Sequence, residues 1–447
     1  MQPARYAARW VLPVHQPAIR EGAVLVDAHG RIAEVGPAAA VALPESAREV
    51  DLGDAALLPG LVNTHAHLDL SFLRGHLEDR SFPDWLAKLK ETKRGAGLLD
   101  ADQLAATRWS CIEAIGAGIT TLGATEDSSA AMEALRESGL RGIVYREVFG
   151  PAPAQANEAM AGLCAAISAM REFETERVRA GVSPHAPYTV SDALYQRVAA
   201  FARDEALPVA VHIAESEAEQ RLVTHGDGIF AQRHASRGMA TPVRARSPIE
   251  LLRRTGILDL HPLLIHCVRI DAMDIDVIAA SRACVAHCPV ANARLGHGIA
   301  PVTDLQHAGI VVGLGTDSVA SNNRMDLLEE ARFAQIVQRA SRADAMLVPA
   351  AQLLRLVTIE GARALGLDAR IGSLEPGKDA DLCAVSFAAP HVRPVHDPLA
   401  ALFHAARASD VCLTVVCGEV LFQDGAWITL DVEAVGSAVE ALAARVR

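Results

Sequence analysis

His65 and His67 close an apolar run, Leu57-Leu58-Pro59-Gly60-Leu61-Val62-Asn63-Thr64-His65-Ala66-His67. In a strand, residues i and i+2 share one face, so both imidazoles would point the same way from a strand end. Two imidazoles so placed are half of a metal site. The pair decides nothing alone; the groups at the other strand ends must complete the site.

Four more apolar runs end in groups that can bind a metal or move a proton: Ser183-Pro184-His185, His212-Ile213-Ala214-Glu215, His266-Cys267 and Gly315-Thr316-Asp317-Ser318. His65, His67, His212 and Asp317 would supply three imidazole nitrogens and one carboxylate oxygen. That donor set suits one divalent cation with room for a water: zinc first, iron or manganese otherwise. Glu215, three residues after His212, would be a free carboxylate beside that water and a natural proton shuttle. His266 could hydrogen-bond the water or polarise a substrate.

Each residue also has a plainer reading. His212 could be a buried, hydrogen-bonded histidine. Asp317 could cap a helix or a turn. Glu215, with Glu217 and Glu219, could form a solvated first helical turn. His185 could lie in a loop. His287, at another strand end, matches His266 by spacing. The joint occurrence at five strand ends favours a site.

Those ends need elements to bring them together. Eight β-like runs recur, each followed by a helical stretch: 61–67, 119–122, 142–149, 180–184, 209–214, 263–266, 283–287 and 310–316. Eight β-α alternations predict an α/β fold of the (β/α)8 TIM-barrel type, whose carboxyl strand ends converge on one mouth. No GxGxxG or GxxxxGK[ST] motif supports a nucleotide-binding doubly wound sheet. Both termini read as β-rich, with strands at 23–26, 32–35, 380–385 and 411–416 and a hairpin over 420–427 turning at Asp424-Gly425. The expected division is a composite β-sandwich domain, residues 1–57 with 372–447, around a catalytic barrel of residues 58–371. The stretch 222–252 is long enough to serve as a lid.

The bulk properties narrow the partners. The chain has 447 residues and a net charge of -12, which argues against nucleic acid. No apolar run is long enough to cross a membrane. The first residues lack an apolar signal region. The eight cysteines show no CxxC pair and read as reduced thiols of a cytoplasmic protein. The partner expected is a small-molecule substrate. A homo-oligomer is compatible with the sequence, which does not fix the assembly.

At these residues the chain resembles the amidohydrolase superfamily. The run Leu58 to His67 resembles its strand-one signature, and His212-Ile213-Ala214-Glu215-Ser216 its strand-five element. Gly313-Leu314-Gly315-Thr316-Asp317-Ser318 resembles its strand-eight aspartate, and Gly372 to Leu382 the return into its small β domain. The resemblance implies one metal held by His65, His67, His212 and Asp317, with Glu215 as shuttle and His266 beside the attacking water. No lysine ends strand four, which favours the one-metal, deaminase-like branch.

Within that branch, Ser183 to Tyr188 and Cys288-Pro289-Val290-Ala291-Asn292 resemble deaminases of S-adenosylhomocysteine, methylthioadenosine and aminodeoxyfutalosine, and their chlorohydrolase relatives. The resemblance puts His185, Trp85 and Ser318 on the substrate. Lys88 to Arg94 departs from the homocysteine-type enzymes, whereas Tyr145 to Pro151 looks closer to the aminodeoxyfutalosine deaminases. Arg146, in that segment, could pair with a substrate carboxylate or with a neighbouring acid such as Glu147. The expected reaction is hydrolytic deamination of a 6-aminopurine nucleoside-like substrate, aminodeoxyfutalosine among the candidates. A chlorohydrolase or a cyclic amidohydrolase would use the same site.

Overall fold

The computed structural model describes residues 1–446. Five strands open the chain: β1 (Ala4–Val11), β2 (Ile19–Val26), β3 (Ile32–Pro37), β4 (Arg48–Asp51) and β5 (Ala55–Pro59). The eight central strands follow: β6 (Leu61–Ala66), β7 (Ile119–Glu126), β8 (Arg141–Val148), β9 (Val178–Pro184), β10 (Ala210–Ile213), β11 (Leu263–His266), β12 (Cys284–His287) and β13 (Val312–Leu314). Helices separate them, so all eight expected alternations are present. The chain ends with β14 (Leu382–Ser386), β15 (Val411–Val416), β16 (Glu419–Gln423), β17 (Ala426–Trp427) and a helix over Val432–Ala444.

The central strands are parallel and buried on both faces, as helix-covered parallel strands must be. Their ladders form two four-stranded halves, β6-β7-β8-β9 and β10-β11-β12-β13. The arrangement is the TIM-barrel-like α/β fold expected from the sequence, with its ladders in two halves. One seam carries a single parallel bridge, Val182 to Val209. At the other, side chains take over from the ladder. Asn63 Nδ2 donates to Thr316 Oγ1 at 2.8 Å, and Thr64 Oγ1 donates to the Leu314 carbonyl at 2.8 Å. Gly315 is required there, because a Cβ would sit 2.9 Å from the His65 backbone.

The terminal strands pair as one nine-stranded sheet, in the order β17-β16-β15-β14-β5-β1-β2-β3 with β4 on β1. β1 and β5 lie outside the strands expected for the terminal segments. Both are central to this sheet, and β5 joins the two ends of the chain by antiparallel pairing with β14. A buried cluster ties the sheet to the central strands. Arg141 donates to Asp381 through Nε (3.0 Å) and Nη2 (3.3 Å), and to Asp379 through Nη2 (3.0 Å).

The helix Phe82–Ala96 roofs the mouth. Ser81 caps it, Pro83 occupies its first turn, and Gly97 ends it at φ +54°. Phe82, Trp85, Leu86, Leu89 and Lys93 recur at helical spacing and face the cavity below. Lys93 fastens the helix to Asp69 (2.8 Å) and Asp127 (3.0 Å).

Candidate metal centre and active site

Strand ends set the geometry. His65 and His67 extend from β6 with their ring centroids 5.0 Å apart. His212, on β10, lies 4.9 Å from His65 and stacks on His67 at 5.3 Å. Asp317 follows β13, and its Oδ1 lies 3.6 Å from His65 Nε2 and 3.8 Å from His67 Nε2. His67 Nε2 and His212 Nε2 are 3.3 Å apart. The ring of His212 is oriented through Nδ1, 3.3 Å from the His185 carbonyl, so Nε2 is left for the cluster.

The backbone is held in strained conformations here. Ala214, His266 and Asp317 take positive φ of 52°, 80° and 56°. Non-glycine residues in that region concentrate at functional sites. The Asp317 N–H donates to the His65 carbonyl at 3.0 Å, which fixes the turn after β13.

These groups fit a divalent cation. Ligand atoms of His65, His67 and Asp317 lie within 4.8 Å of one another, as do those of His65, His212 and His266. His65 Nε2 is buried and has no hydrogen-bonding partner. Burial lowers the His65 pKa to about 4, so its imidazole is neutral near pH 7, as a ligand must be. Burial pushes the His212 pKa down as well, with the neighbouring His185 next in effect. For Asp317 burial acts upward, yet the contact with His65 outweighs it and holds the carboxyl well below its usual range.

Glu215 stands outside the cluster. Its Oε1 lies 3.4 Å from His266 Nε2 and 3.2 Å from His297 Nε2, with the side chain 5% exposed. Burial acts to raise its pKa, but the two imidazoles outweigh burial and lower it. Glu219 holds the backbone beneath, its carboxylate accepting from the Ala214 N–H (2.7 Å) and the Glu215 N–H (3.1 Å). Burial, with the Glu215 charge next, pushes the Glu219 pKa up to about 8. The plainer reading of a solvated turn holds for the exposed Glu217 but not for Glu215 and Glu219, which are buried.

The cavity encloses about 860 Å³, solvent at its mouth included. His67, His185, His212, Glu215, His266, Asp317, Ser318 and Trp85 all line it, and His65 sits in the cluster without lining the cavity. Arg146 is not among the lining residues. Strand alternation gives that place to Glu147 and leaves Arg146 half-buried beside the mouth. Glu147, unremarked as a site residue in the sequence, has an unpartnered Oε1 3.9 Å from His185 Nε2, and burial raises its pKa to about 7. His185 is set by Thr189 Oγ1, 2.7 Å from its Nδ1.

His266 and His287, equivalent by spacing, differ in position. His266 lines the cavity, whereas His287 is buried outside it with both ring nitrogens unpartnered. The expected lid segment 222–252 supplies no lining residue. Its Phe230 stacks on Tyr188 at 4.4 Å and buttresses the wall from behind.

Comparison with known proteins adds the following. The amidohydrolase family profile matches residues 56–421. A protein named 5-methylthioadenosine/S-adenosylhomocysteine deaminase from Pelotomaculum thermopropionicum is 35% identical over 424 residues, covering 93% of this chain and 91% of its own. Another of that name, from Moorella thermoacetica, is 34% identical and covers 95% of each chain. The crystal structure of an adenosine deaminase from Xanthomonas campestris with bound zinc superposes with a TM-score of 0.87, at 28% identity over 99% of this chain and 98% of the other. A zinc complex of an atrazine chlorohydrolase from Arthrobacter aurescens matches the fold, with a TM-score of 0.85 at 23% identity over 98% of this chain and all of the other.

Proposed function

The chain belongs to the amidohydrolase family as a hydrolase of C–N bonds, a deaminase, and on that premise we propose that it removes the amino group of a 6-aminopurine nucleoside. Relatives named for 5-methylthioadenosine and S-adenosylhomocysteine make nucleosides with a sulfur-linked substituent the first candidates. Aminodeoxyfutalosine belongs to the same substrate class and is favoured by the segment Tyr145 to Pro151. The observation that carries the proposal is a buried carboxylate, Glu215, beside a cluster of three imidazoles and an aspartate but outside it.

His65, His67, His212 and Asp317 are the residues that would hold one divalent ion, zinc by donor type. When bound, that ion supplies the Lewis acidity that makes water nucleophilic near neutral pH. Glu215 takes a proton from the attacking water and delivers it to the ring nitrogen beside the amino-bearing carbon. His266 and Asp317 orient the water so that its oxygen adds to that carbon. Glu215, again a carboxylate, then takes the remaining proton of the added hydroxyl and passes it to the amine. The C–N bond breaks, ammonia leaves and a 6-oxopurine remains. Trp85, His185 and Ser318 line the cavity around the substrate and exclude water from it.

The division into residues 1–57 with 372–447 and a catalytic portion 58–371 belongs to this proposal, supported by the pairing of β5 with β14. Eight free cysteines among the described residues support a reducing compartment, the cytoplasm. Ammonia release from adenosine, 5-methylthioadenosine, S-adenosylhomocysteine, aminodeoxyfutalosine and guanine, with chloride release from a chlorotriazine, tests the function. Ammonia from one or more of the adenine nucleosides is expected. Chloride release alone, or ammonia from guanine alone, would overturn the proposal.

A further inference from the structure

We propose that His297 is a positioning residue for the proton shuttle, holding Glu215 Oε1 so that Oε2 stays free to carry the proton. This rests on the deaminase reading for its kinetics but not for its geometry. His297 Nε2 lies 3.2 Å from Glu215 Oε1, within ion-pair range but short of hydrogen-bond alignment, and is buried with no hydrogen-bonding partner. The side chain is 3% exposed.

The local fold is built to put an imidazole there. The short helix Pro289–Arg294 ends in Leu295-Gly296-His297-Gly298, with φ of +73° at Gly296 and +109° at Gly298. Side chains other than glycine rarely adopt these values, and the double reversal turns His297 inward. The His297 N–H donates to the Asn292 carbonyl at 2.8 Å. The Asn292 side chain in turn places Oδ1 2.9 Å from His266 Nδ1. One seven-residue segment, 292–298, therefore orients both imidazoles that meet Glu215 Oε1.

The two imidazoles are not equivalent. With its proton on Nδ1 for Asn292, a neutral His266 turns a lone pair toward Glu215 and cannot donate to it. His297 can donate from Nε2 without either ring becoming charged. A carboxylate removed from water needs such a donor. Phe82, on the roof helix, sets its ring edge-to-face on His297, with centroids 4.5 Å apart at 90°. The roof over the substrate thereby touches the group that steadies the shuttle.

The test uses the metal-loaded, full-length enzyme with His297→Leu, which keeps the packing on Phe82, and His297→Gln, which keeps an N–H donor. Crystal structures are compared first. Glu215 should keep one orientation in the wild type and in His297→Gln, and should turn or split into two in His297→Leu. An unchanged Glu215 in His297→Leu overturns the proposal whether or not a nucleoside substrate has been found. In kinetics, kcat should fall about 10- to 100-fold in His297→Leu with KM within twofold, and His297→Gln should recover most of it. Combined with Glu215→Gln, His297→Leu should cost nothing further, because it acts only through that carboxylate. A wild-type kcat in His297→Leu, or an equal further loss in the Glu215→Gln background, would contradict the assignment. If the wild-type enzyme releases no ammonia from any nucleoside, the functional reading fails and the crystallographic comparison still decides the role of His297.

Discussion

Replacing Glu215 by Gln removes the proton shuttle while keeping its shape. The amide has the volume of the carboxylate, and Glu219 still holds the backbone beneath it. The metal cluster does not include Glu215, so the ion should stay bound. The magnitude follows from what else could move the proton. Among the other acids lining the cavity, Asp69 and Asp127 are tied to Lys93, and Asp317 belongs to the cluster. Only Glu147 remains, and it lies beside His67 and His212 rather than His266. With 5% of the side chain exposed, little solvent reaches Glu215 to substitute for it. Loss of a general acid–base group raises the barrier by about 3–5 kcal/mol, so kcat should drop by about 10²- to 10⁴-fold. Steady-state ammonia release, with metal content measured on the same sample, is the assay. A variant with one ion per chain and kcat within threefold of the wild type would refute the role.

Three further outcomes follow from the structure. Arg141→Met should cost about 3–5 kcal/mol in urea unfolding, since it leaves the buried Asp381 carboxylate without its cation while Asp379 keeps Arg370, and unchanged stability would show that this cluster does not hold the terminal sheet in place. Glu147→Ala should raise KM about tenfold or more through loss of a charge-assisted hydrogen bond worth about 1.5–3 kcal/mol, whereas an unchanged KM would mean that the carboxylate does not meet substrate. For pH, burial lowers the His287 pKa to about 3. Between about 6.5 and 3 the unfolded chain therefore binds a proton that the folded chain refuses, and stability is lost as pH falls through that window. His287→Leu removes this group, so the wild type should lose stability relative to it by at most about 1.4 kcal/mol per pH unit. Parallel stability-versus-pH curves would contradict that.

The chemistry was legible in the sequence because it sits where apolar runs stop. His65, His67, His212, His266 and Asp317 each follow or end a buried strand, so periodicity alone placed them at one mouth. Where a side chain points was harder to read. Arg146 and Glu147 are adjacent on β8, and a one-residue choice of face exchanged a pocket residue for a neighbour. Glu219 looked like a surface glutamate because its spacing is helical, yet its carboxylate turns back to the strand end. His297 carries no periodic signal and was passed over; the glycines on either side were the only local hint of an unusual turn. The single terminal sheet was also hidden, since it is made by strands more than 300 residues apart in sequence, β5 and β14.

The central claim is that His65, His67, His212 and Asp317 share one divalent ion. Anomalous diffraction from crystals of the purified enzyme, recorded on both sides of the zinc edge, tests it most directly. A single peak is expected about 2.0–2.2 Å from three imidazole nitrogens and one Asp317 oxygen. A zinc peak bound elsewhere, or crystals of active enzyme with no metal peak among these four side chains at any edge, would contradict the account.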